Sequence, residues 1–462
     1  MTQKLSVLPF LALIVITGLA FWMSTTPPGA IITEGINNGD VAWMLTSSAL
    51  VLIMTPGLAL FYGGMVNPKN VISTMLQSFV CMGVMSVLWV VIGFSLAFGD
   101  PLLSTSSGSF LGNPMSFFMF NGVLEGKPWS MAPTIPLILF AFFQLKFAVI
   151  TPALITGSFS ERIKFTSYVL FICLFSIFIY APIAHWTWHP EGFLFKMGVL
   201  DFAGGTVVHI SAGCAALAAA IYLGKRKGEN QHPTPANIPF VLLGTGLLWF
   251  GWFGFNAGSA VGAGALAASA FATTNTAAAA AALAWIFFDA ARGKKPSALG
   301  FAIGAVVGLV AITPAAGFVS IPSSIVIGSV ASIISNLVVS WRARTGLDDT
   351  LDVFPCHGVG GMVGMVFTGI FATGMVNSMV TAEGALGDGL IFGNTALFFA
   401  HIKALLIVVG FSFGGSYLLL IITNLISPLR VSDEEEKIGL DISQHEEKML
   451  INTLLTKEGI VK

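Results

Sequence analysis

Apolar stretches of about 20 residues alternate with short polar segments along most of this chain. A helix needs about 20 apolar residues to cross the 30 Å hydrocarbon core of a bilayer. The pattern therefore predicts an all-α polytopic membrane protein with one membrane domain, residues 41–427. Its eleven predicted membrane helices lie near residues 41–63, 71–97, 131–157, 165–185, 201–224, 238–259, 263–291, 297–317, 321–341, 353–375 and 396–427.

The two ends of the chain have different patterns. Lys4 precedes an apolar run that closes near the small residues Gly18 and Ala20, which favours a signal peptide over residues 1–23, with an additional helix as the alternative. Residues 24–40 are polar and predict an extracytoplasmic lead-in. Residues 428–462 predict a cytoplasmic tail.

Basic residues are concentrated in one set of alternate loops, and positively charged loops usually stay in the cytoplasm. The opposite loops hold only Lys127 and Lys196. This asymmetry predicts a protein of the inner (plasma) membrane with a cytoplasmic C-terminus and the mature N-terminus outside. The first set comprises Lys69, Arg162, Lys164, Lys225, Arg226, Lys227, Arg292, Lys294, Lys295, Arg342 and Arg344.

Ten of the spans can be divided into two groups of five, and because five is odd the second group would run inverted. Asp201 begins the fifth span, and His209 lies eight residues further on, roughly 12 Å deep. Asp352 begins the tenth span from the other side, and His357 lies five residues further on, roughly 7–8 Å deep. The two histidines are therefore predicted to meet inside a narrow pore, with both aspartates as helix N-caps.

The composition excludes several classes of protein. Only 9% of the residues are charged, against about 25% in a soluble chain. The net charge of −1 indicates no nucleic-acid partner. The predicted partner of the apolar surface is membrane lipid. The four cysteines are scattered without a C-x-x-C pair, which predicts neither a disulfide framework nor a structural zinc site.

Several aromatic residues lie close to the predicted outer face. Phe143 and Phe147 are four apart on the third span, Trp188 follows the fourth, and Phe255 and Ser259 lie near the outer end of the sixth. Such residues are ordinarily lipid-facing or packed, but ring faces together with a hydroxyl also suit a cation.

Two other polar features have simpler explanations. His185, His189 and Glu191 resemble a metal site, but Pro190 ends the helix there and no H-E-x-x-H motif occurs. Lys146, inside the third span, is interpreted as a side chain that reaches toward a polar vestibule or backbone carbonyls.

The chain resembles the ammonium transporter (Amt/Mep/Rh) family, in its bacterial Amt form. The resemblance extends from about residue 40 to residue 446 and rests on five motifs. They are Phe-Tyr-Gly-Gly-Met-Val at 61–66, Glu-Arg-Ile-Lys-Phe at 161–165, Asp-Phe-Ala-Gly-Gly-Thr-Val-Val-His at 201–209, Trp-Phe-Gly-Phe-Asn-Ala-Gly-Ser at 252–259 and Asp-Val-Phe-x-x-His-Gly-Val at 352–359.

The resemblance implies eleven helices, in two inverted five-helix halves and a closing eleventh helix, assembled as a homotrimer with one pore in each subunit. It implies transport of ammonium, ammonia or methylammonium, with no enzyme activity and no cofactor. Residues that match the motifs take the family's roles: Phe143, Phe147, Trp188 and Ser259 as the outer ammonium site, Phe147 and Phe255 as the gate, His209 and His357 as the twin pore histidines, and Asp201 as support for the outer site. Asp352 is interpreted in the same way as Asp201, as a supporting carboxylate, because it begins a span from the cytoplasmic side.

The tail from Leu429 to Asp441 resembles the family's cytoplasmic region, which couples subunits. In bacterial relatives a PII-class nitrogen-signalling protein can bind at the cytoplasmic mouths. This chain departs from the family where Glu446 replaces a usual glycine, and a longer helical segment is predicted after it.

Three questions stay open at the level of sequence. The proton of ammonium either follows through the histidines or stays outside. An ammonium sensor, in which the tail signals, is an alternative to a transporter. An intramembrane metalloenzyme built on His185, His189 and Glu191 is a second alternative.

Overall fold

The structure is a computed structural model that describes residues 2–227 and 234–449. Within these residues the chain is mainly helical. The helices are α1 (Thr2–Met23), α2 (Asn38–Met65), α3 (Pro68–Phe98), α4 (Leu137–Phe159), α5 (Phe165–Trp188), α6 (Gly205–Leu223), α7 (Ile238–Ala260), α8 (Ala265–Ala291), α9 (Ala298–Ile312), α10 (Ile321–Arg342), α11 (Phe354–Phe371), α12 (Ala396–Ile426), α13 (Asp433–Ile438) and α14 (Leu440–His445). The helical segment predicted after residue 446 falls largely on residues 450–462, outside the described part.

Ten of the described helices, α2–α8 and α10–α12, are long and apolar enough to cross a membrane. The prediction of a multi-pass helical membrane protein is therefore confirmed. The eighth predicted span differs, because α9 has 15 residues and extends only about 22 Å. Pro314 follows α9, and the chain turns there with Ala315 N donating to Ile312 O at 2.9 Å.

Several helix ends also differ from the predicted boundaries. α4 begins at Leu137, six residues later than predicted, because Pro136 immediately precedes it. The antiparallel strands β1 (Pro101–Thr105) and β2 (Gly108–Gly112) lie between α3 and α4, where the apolar pattern predicted no strand. α5 extends to Trp188, which is thus the last residue of a helix.

The same set of helix neighbours occurs twice. In residues 38–223 the first helix packs on the second and third, the second on the third and fourth, and the third on the fifth. The helices of residues 238–371 make the same five pairings. Across the two groups, α2 packs on α7 and α6 packs on α11, so equivalent helices meet at the centre.

The backbones of α6 and α11 touch where they cross. A Cβ atom added to Gly213 would lie 2.2 Å from the Cα of Gly358, so only glycine fits at this position. Small residues allow membrane helices to approach closely. The crossing lies four residues after His209 and one after His357, and it therefore sets the distance between the two rings.

α1 contributes little to this bundle. Its side chains Phe10, Ile14, Val15, Phe21 and Trp22 are half or more exposed. The buried residues among the described side chains begin at Met44, in α2.

The C-terminal helices α13 and α14 dock on one end of the bundle, which we call the tail face. Lys69 Nζ donates to the Glu436 carbonyl at 3.0 Å, and Ser73 N donates to Asp441 Oδ1 at 2.8 Å. The opposite end, where α4 begins and α5 ends, is called the mouth face.

The crossing generates a prediction about stability. We expect Gly213→Ala to lower the melting temperature of the detergent-solubilised protein, because overpacking in a tight interior costs about 1–3 kcal/mol. The control is Gly83→Ala, in α3, where an added Cβ would meet nothing within 4 Å. Equal melting temperatures for the two variants would contradict the close crossing.

Candidate functional site

The start of α6 is organised by the Asp201 carboxylate. Its oxygens accept hydrogen bonds from the N–H groups of Gly204, Gly205 and Thr206 at 2.8, 2.7 and 2.7 Å. The Thr206 hydroxyl donates a fourth bond at 2.5 Å. First-turn N–H groups have no partner inside their helix, so the Asp201 carboxylate caps α6 from three residues before the N-cap residue Gly204 and is engaged by the protein itself.

Trp188 lies directly beside this cap. Its indole Nε1 donates to the backbone oxygen of Asp201 at 3.1 Å. Gly204 has a φ of +112°, and a Cβ there would lie 2.8 Å from Val208 Cγ2 and 3.3 Å from Trp188 Cζ2. Glycine at position 204 thus allows both the left-handed turn and the close approach of the indole.

Four aromatic rings from three helices form one cluster. Phe143 and Phe147 of α4 meet edge to face at 5.0 Å, and Phe147 meets Trp188 in the same way at 5.6 Å. Phe147 also packs against Phe255 of α7, with ring centroids 4.4 Å apart. The structure therefore brings together the aromatic residues that the sequence placed separately on α4, α5 and α7.

A cavity of about 570 Å³ opens at the mouth face above this cluster, and we call it the mouth cavity. Phe143, Phe147, Trp188 and Ser259 all line it. Ser259 Oγ donates to the Phe255 carbonyl at 2.8 Å, which leaves the hydroxyl lone pairs free to accept. Ring faces and a free acceptor are groups that suit a small cation with N–H donors.

The two predicted histidines lie in contact below the aromatic cluster. Their Nδ1 atoms are 3.4 Å apart, and the ring planes are inclined by 27°. His209 is 1% exposed and His357 is 3% exposed. Each histidine lies in a π-helical turn that begins its helix, Gly205–Ile210 in α6 and Phe354–Val359 in α11.

The space around the histidines, which we call the lumen, is narrow and mainly apolar. It offers about 10 Å³ for the centre of a water-sized molecule, close to the minimum that one water needs. The buried His209 Nε2 has no hydrogen-bond partner. The lining residues are Met54, Leu58, Phe61, Ile150, Leu154, His209, Leu248, Trp252, Phe255, Val306 and His357.

The prediction of Asp352 as the N-cap of α11 is wrong. Asp349 supplies that carboxylate, because its Oδ2 accepts from Phe354 N at 2.8 Å. Asp352 has a φ of +56° and pairs with Arg342, whose Nε lies 2.5 Å from its Oδ1. Burial raises the pKa of the Asp352 carboxyl to about 7, and Arg342 opposes that shift.

A second cavity, at the tail face, is surrounded by ion pairs. Arg226 bridges Glu161 at 2.8 Å and Asp348 at 2.9 Å, and the Arg342–Asp352 pair lies on the same cavity. Burial alone would raise the pKa of Asp348, but its hydrogen bonds with Arg226 lower it below the usual range. The charges at this face are thus largely compensated by one another.

His185 and His189 do not form a metal site with Glu191. His185 Nδ1 lies 2.9 Å from the Ala97 carbonyl, and its Nε2 lies 2.6 Å from Ser109 Oγ. Glu191 pairs with Lys196 instead. The residues that the structure describes contain no group of three or more side chains that could hold a metal ion.

Lys146 does not line the mouth cavity. Its Nζ lies 5.6 Å from the centroid of the Phe142 ring, and Phe142 is itself exposed on the outside of the bundle. The Lys146 side chain therefore does not point toward a polar vestibule, which was one of its two predicted directions.

Two residues of this region, Trp252 and Asp349, were not among the predicted site residues. Trp252 stacks on His209 with ring centroids 5.4 Å apart, and its Nε1 donates to Thr313 Oγ1 at 2.9 Å. Its position three residues before Phe255, on the same helix face, was an available signal. Asp349 stands three residues before Asp352, and no pattern in the sequence distinguishes the capping carboxylate of the two.

Comparison with known proteins gives consistent similarities. A family model described as Ammonium Transporter Family matches residues 42–450. An Aquifex aeolicus protein named ammonium transporter is 45% identical over 415 residues, which cover 89% of this chain and 93% of that protein. The crystal structure of Saccharomyces cerevisiae Mep2 is 36% identical, with a TM-score of 0.79 over 87% of this chain and 89% of that chain. A structure described as Sensor Amt Protein is 29% identical, with a TM-score of 0.78 over 88% and 98% of the respective chains.

The cap of α6 generates a second prediction. Asp201→Ala leaves three buried N–H groups without an acceptor, so we expect a loss of about 2 kcal/mol or more and a lower melting temperature. Ser297→Ala is the control, since that N-cap side chain of α9 accepts from Gly300 N alone and its loss should cost about 0.5–1 kcal/mol. A smaller loss for Asp201→Ala than for Ser297→Ala would refute the cap assignment.

Proposed function

We propose that this chain, which belongs to the Ammonium Transporter Family, binds ammonium at its mouth face, removes a proton and passes ammonia along the paired histidines. The observation that carries the proposal is the sequence of environments along one path: an aromatic cavity, a closely packed ring pair and an apolar lumen with two imidazoles in contact. The Aquifex aeolicus relative is named an ammonium transporter, which describes transport and not catalysis.

Capture at the mouth uses weak but selective groups. The faces of Phe143, Phe147 and Trp188 attract a cation by about 0.5–2 kcal/mol each when water is displaced. Ser259 Oγ accepts one N–H bond. Asp201 supports this site through the backbone and the indole of Trp188, without touching the ion.

The lumen discriminates between ions by their chemistry rather than by their size. Transfer of any intact ion into an apolar medium costs several kcal/mol even after relaxation. Ammonium and potassium are similar in charge and size, but only ammonium can lose a proton and become neutral. The Phe147 and Phe255 rings, whose centroids lie 4.4 Å apart, close the path to hydrated ions and form the gate.

The two histidines provide hydrogen-bonding positions for the neutral molecule. Two neutral imidazoles that share one N–H···N bond leave a polar edge on each ring. The unpartnered His209 Nε2 is such an edge. Ammonia can exchange hydrogen bonds along this line, whereas potassium has no N–H donor with which to do so.

Orientation, assembly and processing are part of the proposal. The mouth face is extracytoplasmic and the tail face cytoplasmic in the inner (plasma) membrane, which agrees with the basic loops. α9 counts as the eighth of eleven membrane helices, in two inverted halves closed by α12. The chain forms a homotrimer, and residues 1–23 are removed as a signal peptide, which is consistent with the exposed surface of α1.

Regulation is proposed to act at the tail face. A PII-class protein is the candidate partner there, although the tail diverges at Glu446. An ammonium sensor is the alternative function, since one similar structure is described as Sensor Amt Protein. A sensor need not conduct, so an ordinary rate of ammonium flux favours the transporter.

The function is tested by an ammonium jump on liposomes that contain the purified protein. Internal pH and membrane current are recorded together, with a potassium jump and protein-free liposomes as controls. We expect an ammonium-dependent signal and none with potassium. A current indicates that the proton follows, whereas internal alkalinisation without current indicates that it stays outside. Absence of both signals would contradict transport.

Substitution of the first histidine tests the lumen. We expect His209→Ala to abolish either flux or the exclusion of potassium, because the alanine removes the polar edge and widens the path. His401→Ala is the matched control, since His401 is a buried histidine of α12 outside the lumen. A His209→Ala protein that still moved ammonium normally and excluded potassium would disprove the role of the paired histidines.

A further inference from the structure

Gln144 is a polar side chain of the mouth cavity that has no role in the mechanism proposed above. Gln144 lies on α4 between Phe140 and Phe147, and all three line the cavity from one face of the helix. Gln144 is 9% exposed, and its Oε1 has no hydrogen-bond donor. A buried acceptor without a donor destabilises a folded protein, and in Gln144 this acceptor belongs to a side chain that lines a cavity.

A second amide side chain of the cavity, Asn377, has an unpartnered donor instead of an unpartnered acceptor. Asn377 Oδ1 accepts from Met379 N at 3.0 Å, and the atom left without a partner is its Nδ2. That atom is a donor and does not suit a cation with N–H groups. Gln144 Oε1 is an acceptor and does.

Gln144 faces the cavity from the helix opposite to Ser259. The two sides are close, because a Cβ on Gly258 of α7 would lie 3.0 Å from Cε2 of Phe143. Phe143 precedes Gln144 in the chain, and Gly258 precedes Ser259. Gln144 on α4 and Ser259 on α7 thus line the same cavity as the rings of Phe143, Phe147 and Trp188.

We propose that Gln144 Oε1 is a second hydrogen-bond acceptor of the mouth site, which receives an N–H group of the ammonium ion bound at Ser259 and the aromatic rings. The inference rests on the proposed function and adds a residue to its binding site. It also defines the substrate class. Ammonium has four N–H donors and a primary alkylammonium has three, so both can serve two acceptors at once.

The test compares isosteric substitutions at two buried glutamines in liposomes. Gln144→Met removes the acceptor, and we expect the KM for ammonium to rise by about tenfold or more, which corresponds to about 1.4 kcal/mol, with little change in maximal flux. Gln77→Met is the control, because Gln77 of α3 is also buried with an unpartnered Oε1 but does not line the cavity. Its KM should stay at the wild-type value.

Gln144→Glu separates hydrogen bonding from packing. The glutamate keeps an acceptor oxygen at the same reach, so its KM should return to the wild-type value or below. A wild-type KM in Gln144→Met, or a KM in Gln144→Glu as high as in Gln144→Met, would overturn the role of Gln144. Failure of the wild-type protein itself to move ammonium would instead contradict the proposed function, which keeps the two outcomes distinct.

Discussion

The contact between His209 and His357 in an otherwise apolar lumen is the constraint on which the surrounding structure depends. Polar rings inside a membrane are costly, so they persist only where the fold holds them in a defined arrangement. Two features do so here. The glycine crossing of α6 and α11 brings the backbones together, and the π-helical turn that begins each helix presents the imidazole to the lumen. Such turns are frequent at functional sites, because one extra residue redirects a side chain without ending the helix.

The two ends of the path satisfy their polar groups in different ways. At the mouth face the cap carboxylate is engaged by the helix, while free acceptors remain on Ser259 and Gln144. At the tail face the charged side chains pair with each other, as in Arg226–Asp348 and Arg342–Asp352. An arriving cation therefore meets the neutral acceptors of Ser259 and Gln144 at the mouth cavity and paired charged side chains at the tail-face cavity. This asymmetry is consistent with capture at the mouth and release at the tail face.

The features that rest on long, regular patterns were predictable from the sequence. Ten of the predicted spans are long apolar helices, and the inverted-half argument placed the two histidines on helices that do meet. Features that are set by tertiary contacts were not predictable in this way. The length of α9 depends on the turn at Pro314, and the capping role of Asp349 over Asp352 depends on a left-handed residue that periodicity does not reveal. Trp252 joins the lumen because of ring stacking across helices, whereas its own helix is apolar throughout.

The proposed mechanism places affinity and selectivity in different parts of the molecule. Ring faces and carbonyl or hydroxyl oxygens attract potassium as well as ammonium, so the mouth alone cannot discriminate strongly between them. The apolar lumen imposes its barrier on every intact ion and leaves only the neutral form of ammonium a way across. Additional acceptors at the mouth therefore strengthen capture without weakening exclusion. For this reason the mouth can present the free oxygens of Ser259 and Gln144 while the closed ring pair below still excludes potassium.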